Sequence, residues 1–184
     1  MRHICDISNL KLVKLLEKNL VLTGMMGVGK STIGKKVAKR LKLQFVDIDK
    51  LIEKKEKMSI SKIFEIKGES YFRKIEKKIT LEELKKKKFV ISLGGGAVIN
   101  SMIRKEINNS SISFWLDPEL KSIIPRLKNT NKRPLLSNDN LEKTINKIYS
   151  ERKKFYNESN FRIKTGNMNI EKIVKKIAKL YETY

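Results

Sequence analysis

The chain is poor in the residues that build disulfides and histidine-based sites. It has one cysteine, Cys5, and one histidine, His3, among 184 residues. A single cysteine excludes a disulfide within the chain and is typical of proteins from a reducing compartment. With one histidine, close to the N-terminus, a serine–histidine–aspartate triad or a zinc site built on histidines is not expected.

Long apolar runs are also lacking. No segment approaches the roughly 20 consecutive apolar residues that span a bilayer. The N-terminus shows no apolar block before a small-residue cleavage site, as a secretory signal would. We therefore expect a cytoplasmic protein without a membrane partner. The length fits one domain, and an apolar fraction of 40% is enough for a packed core.

Acidic residues are scarce beside basic ones, 20 against 42, which gives a net charge of +22. Such a charge could serve nucleic-acid binding. Most basic residues are lysines spread over every predicted helix, however, whereas nucleic-acid sites combine arginine and aromatic residues on one face. We expect solvated helix faces and no nucleic-acid partner. The chain's eight arginines are Arg2, Arg40, Arg73, Arg104, Arg126, Arg133, Arg152 and Arg162.

Short apolar runs alternate with segments of helical periodicity. Helices are predicted at 31–43, at 169–182 and, with breaks near Ser59 and Gly68, between 50 and 88. Strands are predicted at 19–23, 44–49, 89–93, 112–116 and, more weakly, 161–165. Such alternation favours a parallel sheet covered on both faces. We therefore expect an α/β protein with three α/β/α layers around a central five-stranded parallel sheet.

Two segments depart from this pattern. Residues 1–18 are predicted to be an N-terminal extension with a short helix, more consistent with packing on the sheet edge than with a partner-binding arm. Residues 19–184 then form a single domain. Within it, residues 128–140 are rich in Asn, Ser, Lys and Pro, which predicts a mobile loop rather than a domain boundary.

The run Gly24–Ser31 matches the phosphate-binding motif G-x-x-x-x-G-K-[ST] in full. It follows a predicted strand and opens a predicted helix, so backbone N–H groups and the positive end of the helix would surround phosphate oxygens. Lys30 is expected to reach the β- and γ-phosphates, and Ser31 to ligate Mg²⁺. The motif predicts nucleotide binding, with ATP as co-substrate, and leaves the phosphate acceptor open.

Three further features follow predicted strands or lie on a helix near the same rim of the sheet, where ligands of such folds bind. Asp47 and Asp49 would point to one side of a strand, toward the metal and an incoming hydroxyl, unless they only cap the next helix. Arg73 has Glu76 one turn further on, which suits either a carboxylate-binding fork or a surface ion pair. Gly94–Gly96 removes all side chains, so that a substrate can approach the backbone.

These motifs, in this order and at these distances, resemble the shikimate kinase family from about Leu20 to the C-terminus. The residues that carry the resemblance are GMMGVGKST, FVDID, GE followed by YFRKIE, ISLGGGAV, RPLL, and Arg152 four residues before Tyr156. The resemblance implies a P-loop, nucleoside-monophosphate-kinase-like fold, with a substrate-binding segment at about 49–77 and a mobile lid at about 128–140. It also implies a monomer that transfers the γ-phosphate of ATP to the 3-hydroxyl of shikimate, in chorismate biosynthesis, with Mg²⁺ as cofactor.

The resemblance further implies roles for individual residues. The implied catalytic residues are Lys30, Asp49 and Arg133. The implied nucleotide-binding residues are Gly24, Met25, Met26, Gly27, Val28, Gly29, Lys30, Ser31, Thr32, Arg126 and Arg133. The implied substrate-binding residues are Asp49, Arg73, Gly94, Gly95, Gly96 and Arg152. The implied metal ligands are Ser31 and, through water, Asp47.

Four of the eight arginines thus fall on ligand positions of the family, although lysine dominates the rest of the chain. One departure concerns Lys154, which stands where the family usually has a proline. Two alternatives stay open: a gluconate-type sugar-acid kinase on the same fold, and a nucleic-acid-associated ATPase that would account for the net charge.

Overall fold

The computed structural model describes residues 18–128, 141–166 and 168–184. The predicted extension, apart from Lys18, lies outside these ranges. The predicted lid, apart from Lys128, also lies outside them, and Arg133 with it.

The described residues form five strands, seven α-helices and one 3₁₀ turn. The strands are β1 (Asn19–Thr23), β2 (Gln44–Asp47), β3 (Phe89–Ser92), β4 (Ser111–Asp117) and β5 (Phe161–Lys164). The helices are α1 (Lys30–Leu41), α2 (Ile48–Glu56), α3 (Ile60–Leu84), α4 (Ser101–Ser110), α5 (Leu120–Lys128), α6 (Leu141–Tyr156) and α7 (Ile170–Thr183). The 3₁₀ turn, Ala97–Ile99, immediately precedes α4.

The strands form one sheet in the order β2-β3-β1-β4-β5, and each neighbouring pair is parallel. This confirms the predicted five-stranded parallel sheet. Because all strands run the same way, their carboxyl ends meet along one rim, and the segments that follow β1, β2 and β3 lie there side by side.

The two faces of the sheet bury separate sets of apolar residues, as expected where helices cover both sides. Leu20 and Leu22 of β1 pack in a cluster with residues of α1 and α7. Val21, between them, faces the opposite cluster, which contains Trp115 of β4 and residues of the other five helices. Within the described ranges, none of the helices has the length and apolar character needed to cross a membrane.

The end of β2 differs from the prediction. The strand was expected to run to residue 49, but it ends at Asp47 and α2 begins at Ile48. The Asp47 side chain accepts a hydrogen bond from the backbone N–H of Lys50 at 3.2 Å and so caps the helix. Asp49 therefore lies in the first turn of a helix rather than on the strand. The predicted break at Gly68 is confirmed as a kink inside α3.

Candidate active site

The predicted phosphate-binding run forms the loop between β1 and α1. Gly24 has φ of 128°, and a Cβ placed on it would lie 2.5 Å from the carbonyl oxygen of Leu116, so no other residue fits there. The buried Lys30 opens α1 and donates from Nζ to the carbonyl oxygens of Gly24 at 2.8 Å and Met25 at 2.9 Å. The ammonium group is thus held against the loop that it is expected to serve.

Ser31 and Asp47 meet beside this loop, where the Ser31 hydroxyl donates to Asp47 Oδ2. The other oxygen, Oδ1, is the helix cap, so capping the helix leaves Oδ2 on the side of Ser31. A hydroxyl and a carboxylate oxygen at the mouth of a phosphate-binding loop suit Mg²⁺, which takes few protein ligands and keeps phosphate oxygens and water. No cluster of three or more His, Cys, Asp or Glu residues in the described ranges could hold a metal by itself.

Two cavities open on this rim. The first, of about 170 Å³, is called the cradle cavity here and is lined by Lys30, Ser31, Thr32 and their neighbours. The second, of about 300 Å³, is called the arginine cavity because Arg73 and Arg152 both line it. Ser31, Asp47 and Asp49 line both cavities and form the wall between them. A molecule in either cavity therefore contacts the same three side chains.

The arginine cavity combines an apolar wall with a few polar groups. Its apolar side is formed by Met26, Ile60, Phe64 and Phe72, and the Phe64 and Phe72 ring centroids lie 4.8 Å apart. Apolar surface with a small number of placed polar groups is typical of sites for small organic molecules. Ile60, Phe64 and Phe72 carried no functional prediction, since apolar residues on one helix face are expected wherever a helix packs on a core.

Arg73 is held by carboxylates on both sides along α3. Its Nε and Nη2 donate to Glu69 Oε1 at 3.1 and 2.9 Å, and its Nη1 donates to Glu76 Oε2 at 2.7 Å. The Glu76 side chain is only 3% exposed, so this is not the surface pair that the sequence left open. A Cβ on Gly96 would lie 2.7 Å from Arg73 Nη1, and the glycine therefore lets the guanidinium approach the backbone.

The second carboxylate oxygen of Glu76 is an unsatisfied polar atom in the site. Oε1 is buried and has no hydrogen-bond partner among the described residues. Burial raises the pKa of Glu76, although Arg73 opposes the shift, and the charge of Asp49 adds to it. A Cβ on Gly94 would lie 2.5 Å from Glu76 Oε1 and 2.7 Å from Asp49 Oδ1. Two carboxylates thus meet beside Gly94, where a bound hydroxyl could donate to them.

Arg152 reaches the cavity from α6 and is only 7% exposed. A Cβ on Gly95 would lie 3.6 Å from its Nη1. One turn later, the Tyr156 hydroxyl donates to the carbonyl oxygen of Gly95 and lies 3.8 Å from Met25 Sδ. The helix that carries Arg152 is therefore tied directly to the glycine segment.

The structure thus brings most of the predicted site residues to one rim. Residues of the two cavities come from β2 and β3, from the loops that follow β1 and β3, and from α1, α2, α3 and α6. Arg126 lies at the margin, on α5, where its Nη1 is 3.5 Å from the carbonyl oxygen of Gly27, at the limit of hydrogen-bonding distance. Arg133 lies outside the described residues, so its predicted contact with phosphate stays a prediction.

Comparison with known proteins agrees with this geometry. A family model described as shikimate kinase matches residues 26–182. A shikimate kinase of Sulfurihydrogenibium sp. is 46% identical over 166 residues, which is 87% of this chain and 98% of the relative. A shikimate kinase of Caldanaerobacter subterraneus is 38% identical over 164 residues, covering 89% of this chain and 96% of the relative.

A solved structure gives the same answer at the level of the fold. Shikimate kinase from Acinetobacter baumannii, in complex with shikimate, matches with a TM-score of 0.88 at 29% identity, covering 93% of this chain and 96% of that one. The family match spans all the residues that line the two cavities. On the strength of the sequence matches, the chain belongs to the shikimate kinase family.

Proposed function

We propose that the protein transfers the γ-phosphoryl group of ATP to the 3-hydroxyl of shikimate, giving shikimate 3-phosphate and ADP. The observation that carries the proposal is the wall of Ser31, Asp47 and Asp49 between the cradle cavity and the arginine cavity. A phosphate chain on one side and a carboxylated acceptor on the other would meet at these residues. The Acinetobacter baumannii relative was solved with shikimate, which supports the choice of acceptor.

On the nucleotide side, the cradle residues bind the triphosphate. Lys30 exchanges its two carbonyl partners for phosphate oxygens, which offer a stronger, charge-assisted hydrogen bond. Ser31 would hold Mg²⁺ directly and Asp47 would hold it through water. The ion neutralises phosphate charge when bound. Thr32 completes the lining of the cradle cavity. Arg126 would pack against the adenine from α5.

On the acceptor side, Arg73 and Arg152 bind the carboxylate. Both project into the arginine cavity from different helices, so the carboxylate is gripped from two directions. Backbone groups of Gly94–Gly96 bond to the ring hydroxyls, while the ring packs against Phe64 and Phe72. This arrangement fixes the reacting hydroxyl beside Asp49, and such positioning is the main catalytic effect in phosphoryl transfer.

Asp49 is the residue that orients the attacking hydroxyl. It accepts the hydroxyl hydrogen bond and takes the proton as the new oxygen–phosphorus bond forms. The bond between the γ-phosphorus and its bridging oxygen breaks, and that oxygen leaves with ADP. Arg133, on the lid at about 128–140, approaches the γ-phosphate and neutralises charge that develops during transfer.

The test is a coupled assay of ADP release with shikimate and with a panel of sugar acids that includes gluconate. We expect kcat/KM for shikimate to exceed that of any sugar acid by about 100-fold or more, since only the cyclic acid satisfies both arginines and the glycine segment. NMR of the product should show phosphate on the 3-hydroxyl. A sugar acid that equals shikimate would refute the assignment.

Two variants in the same assay test the acceptor site and the lid residue separately. Arg73→Lys keeps the charge but loses the fork, so KM for shikimate should rise about tenfold while KM for ATP changes little. Arg133→Ala should lower turnover far more than ATP binding. Equal turnover in Arg133→Ala and the parent would remove the lid residue from the mechanism without touching the choice of acceptor.

A further inference from the structure

Arg104 joins two of the segments that shape the arginine cavity, the glycine segment and α6, although it does not line the cavity itself. It lies on α4, immediately after the 3₁₀ turn Ala97–Ile99 that continues the glycine segment. Its side chain is only 21% exposed, whereas many lysines of this chain are exposed. Arg104 belongs neither to the phosphate-binding loop nor to the proposed carboxylate-binding pair, Arg73 and Arg152.

One side of the Arg104 guanidinium holds the turn after the glycines. Nη1 donates to the carbonyl oxygens of Val98 and Ile99, both at 2.9 Å. The turn is itself bonded to the glycine segment, because Ala97 N donates to Gly94 O at 3.1 Å and Ile99 N donates to Gly96 O at 3.0 Å. The turn and the glycine segment thus form one hydrogen-bonded unit. Arg104 holds its end at Val98 and Ile99, and its other end, Gly94–Gly96, lines the arginine cavity.

The other side of the guanidinium holds the end of α6. Nε donates to Glu158 Oε2 at 2.8 Å, just beyond the last turn of the helix. The guanidinium carbon also lies 4.6 Å from the centroid of the Phe155 ring. Phe155 follows Arg152 by three residues, so Arg104 grips the helix within one turn of the carboxylate-binding arginine.

A lysine could not reproduce these contacts. The planar guanidinium donates to three acceptors and stacks on an aromatic ring at once, whereas one ammonium on a flexible stem cannot hold all four partners in place. The contacts at position 104 therefore require an arginine as strictly as those at Arg73 and Arg152.

We propose that Arg104 is a positioning residue for acceptor binding, which sets the distance between the Gly94–Gly96 segment and Arg152. The inference rests on the proposed function, because the carboxylated acceptor must contact both groups together. A brace of this kind acts on the acceptor and not on the nucleotide, because its partners adjoin the glycine segment and the helix of Arg152, and none of them belongs to the Gly24–Ser31 run. Displacement of a binding group by about 1 Å can cost up to about 100-fold in activity.

The experiment compares Arg104→Lys and Arg104→Met with the parent, using the best acceptor from the panel above. We expect KM for the acceptor to rise about tenfold in both variants, with KM for ATP within about twofold of the parent. Because the best acceptor is used, the result bears on Arg104 even if that acceptor is not shikimate. The parent's own preference among acceptors separately decides the proposed function.

Arg162→Lys is the matched control. Arg162 also pairs with a carboxylate, that of the buried Asp117, at 2.7 Å and lies 4.6 Å from the Trp115 ring centroid, but it lies on β5 and lines neither cavity. It should lose a similar amount of stability in urea denaturation while KM for the acceptor stays near the parent value.

Two outcomes would overturn the proposal. One is an unchanged KM for the acceptor in a folded Arg104→Lys, and the other is an equal rise of both KM values. If Arg104→Met does not fold, Glu158→Leu removes one anchor of the brace and should still raise KM for the acceptor. Glu158→Gln keeps an acceptor oxygen and should restore most of the affinity. Failure of Glu158→Leu to change KM would also contradict the proposal.

Discussion

The hydroxyl of Tyr156 makes a buried hydrogen bond that depends on its proton. It donates to the carbonyl oxygen of Gly95, and a phenolate could not do so. Burial raises the pKa of Tyr156 to about 12, although the nearby Arg152 guanidinium opposes the shift. The neutral form of this side chain is therefore part of the folded site.

This bond predicts a specific pH dependence of stability. Because the pKa is raised in the folded state, the stabilisation is fully present below about pH 10 and is lost as the pH rises toward about 12. Tyr156→Phe should cost about 1 kcal/mol near neutral pH, and its difference from the parent should shrink above about pH 10. Urea denaturation of both proteins between about pH 7 and 11.5 measures this difference. A constant difference across that range would contradict the assignment.

At the residue scale, sequence reasoning predicted which side chains gather but not how each atom is used. Asp47 was expected to serve either the metal or the helix cap; its Oδ1 caps the helix, its Oδ2 bonds to Ser31, and the metal role stays a prediction. The unpaired oxygen of Glu76 could not be predicted, because its isolation depends on the burial of the whole side chain. Nor could the Tyr156–Gly95 bond, which joins positions far apart in the chain.

At the scale of elements, the kink in α3 divides the wall of the arginine cavity. Gly68 has φ of 77° and ψ of 169°, a conformation that is open essentially to glycine alone. Ile60 and Phe64 lie before the kink, whereas Phe72 and Arg73 lie after it, and all four line the cavity. The bend lets both segments of one helix line the arginine cavity.

Gly68→Ala should therefore strain the kink. No atom lies within 4 Å of a Cβ at this position, so the cost is one of backbone conformation and not of collision. We expect a loss of about 1–3 kcal/mol in the free energy of unfolding, measured by urea denaturation. Ser70→Ala, at an exposed position two residues away, is the control and should change stability by less than about 0.5 kcal/mol. Equal stability of the two variants would show that the kink is not needed.

Sequence reasoning predicted the strands better than the helices, since it named no helix at the positions of α4, α5 and α6. All five strands were found: four are apolar runs that end in turn or acidic residues, and β5 alternates apolar and basic residues. The end of β2 was placed two residues too late, because Ile48 continues the apolar alternation and the capping bond of Asp47 leaves no mark on it. The order of strands in the sheet also depends on crossovers that local patterns do not encode.

At the scale of the whole molecule, the net charge of +22 opposes the compact state. Exposed ion pairs such as Lys36–Glu171 and Lys62–Glu65 contribute little against it, since pairs of this kind are worth about 1 kcal/mol or less. Much of the excess charge is on exposed lysines, among them the run Lys85–Lys88. Mutual repulsion of these charges is screened by salt over about 10 Å at 0.1 M.

Added salt should therefore stabilise the protein. We expect the free energy of unfolding to rise by about 1 kcal/mol between about 20 and 300 mM KCl, because screening weakens repulsion more than it weakens the exposed pairs. Chloride is preferred to phosphate, which would bind the cradle. A variant with glutamine at Lys85 and Lys87 should show a smaller rise. A decrease in stability with salt would mean that attractive pairs outweigh the net repulsion.

The shared wall of Ser31, Asp47 and Asp49 has a consequence for ligand design. Since one set of side chains borders both cavities, a single molecule could fill them together, with a short polyphosphate joining an adenosine to a carboxylated ring. Binding of one half would then place the other half at a high effective concentration beside its own cavity. The tether would need to span only the thickness of the wall. A rigid tether of matched length loses little conformational entropy on binding.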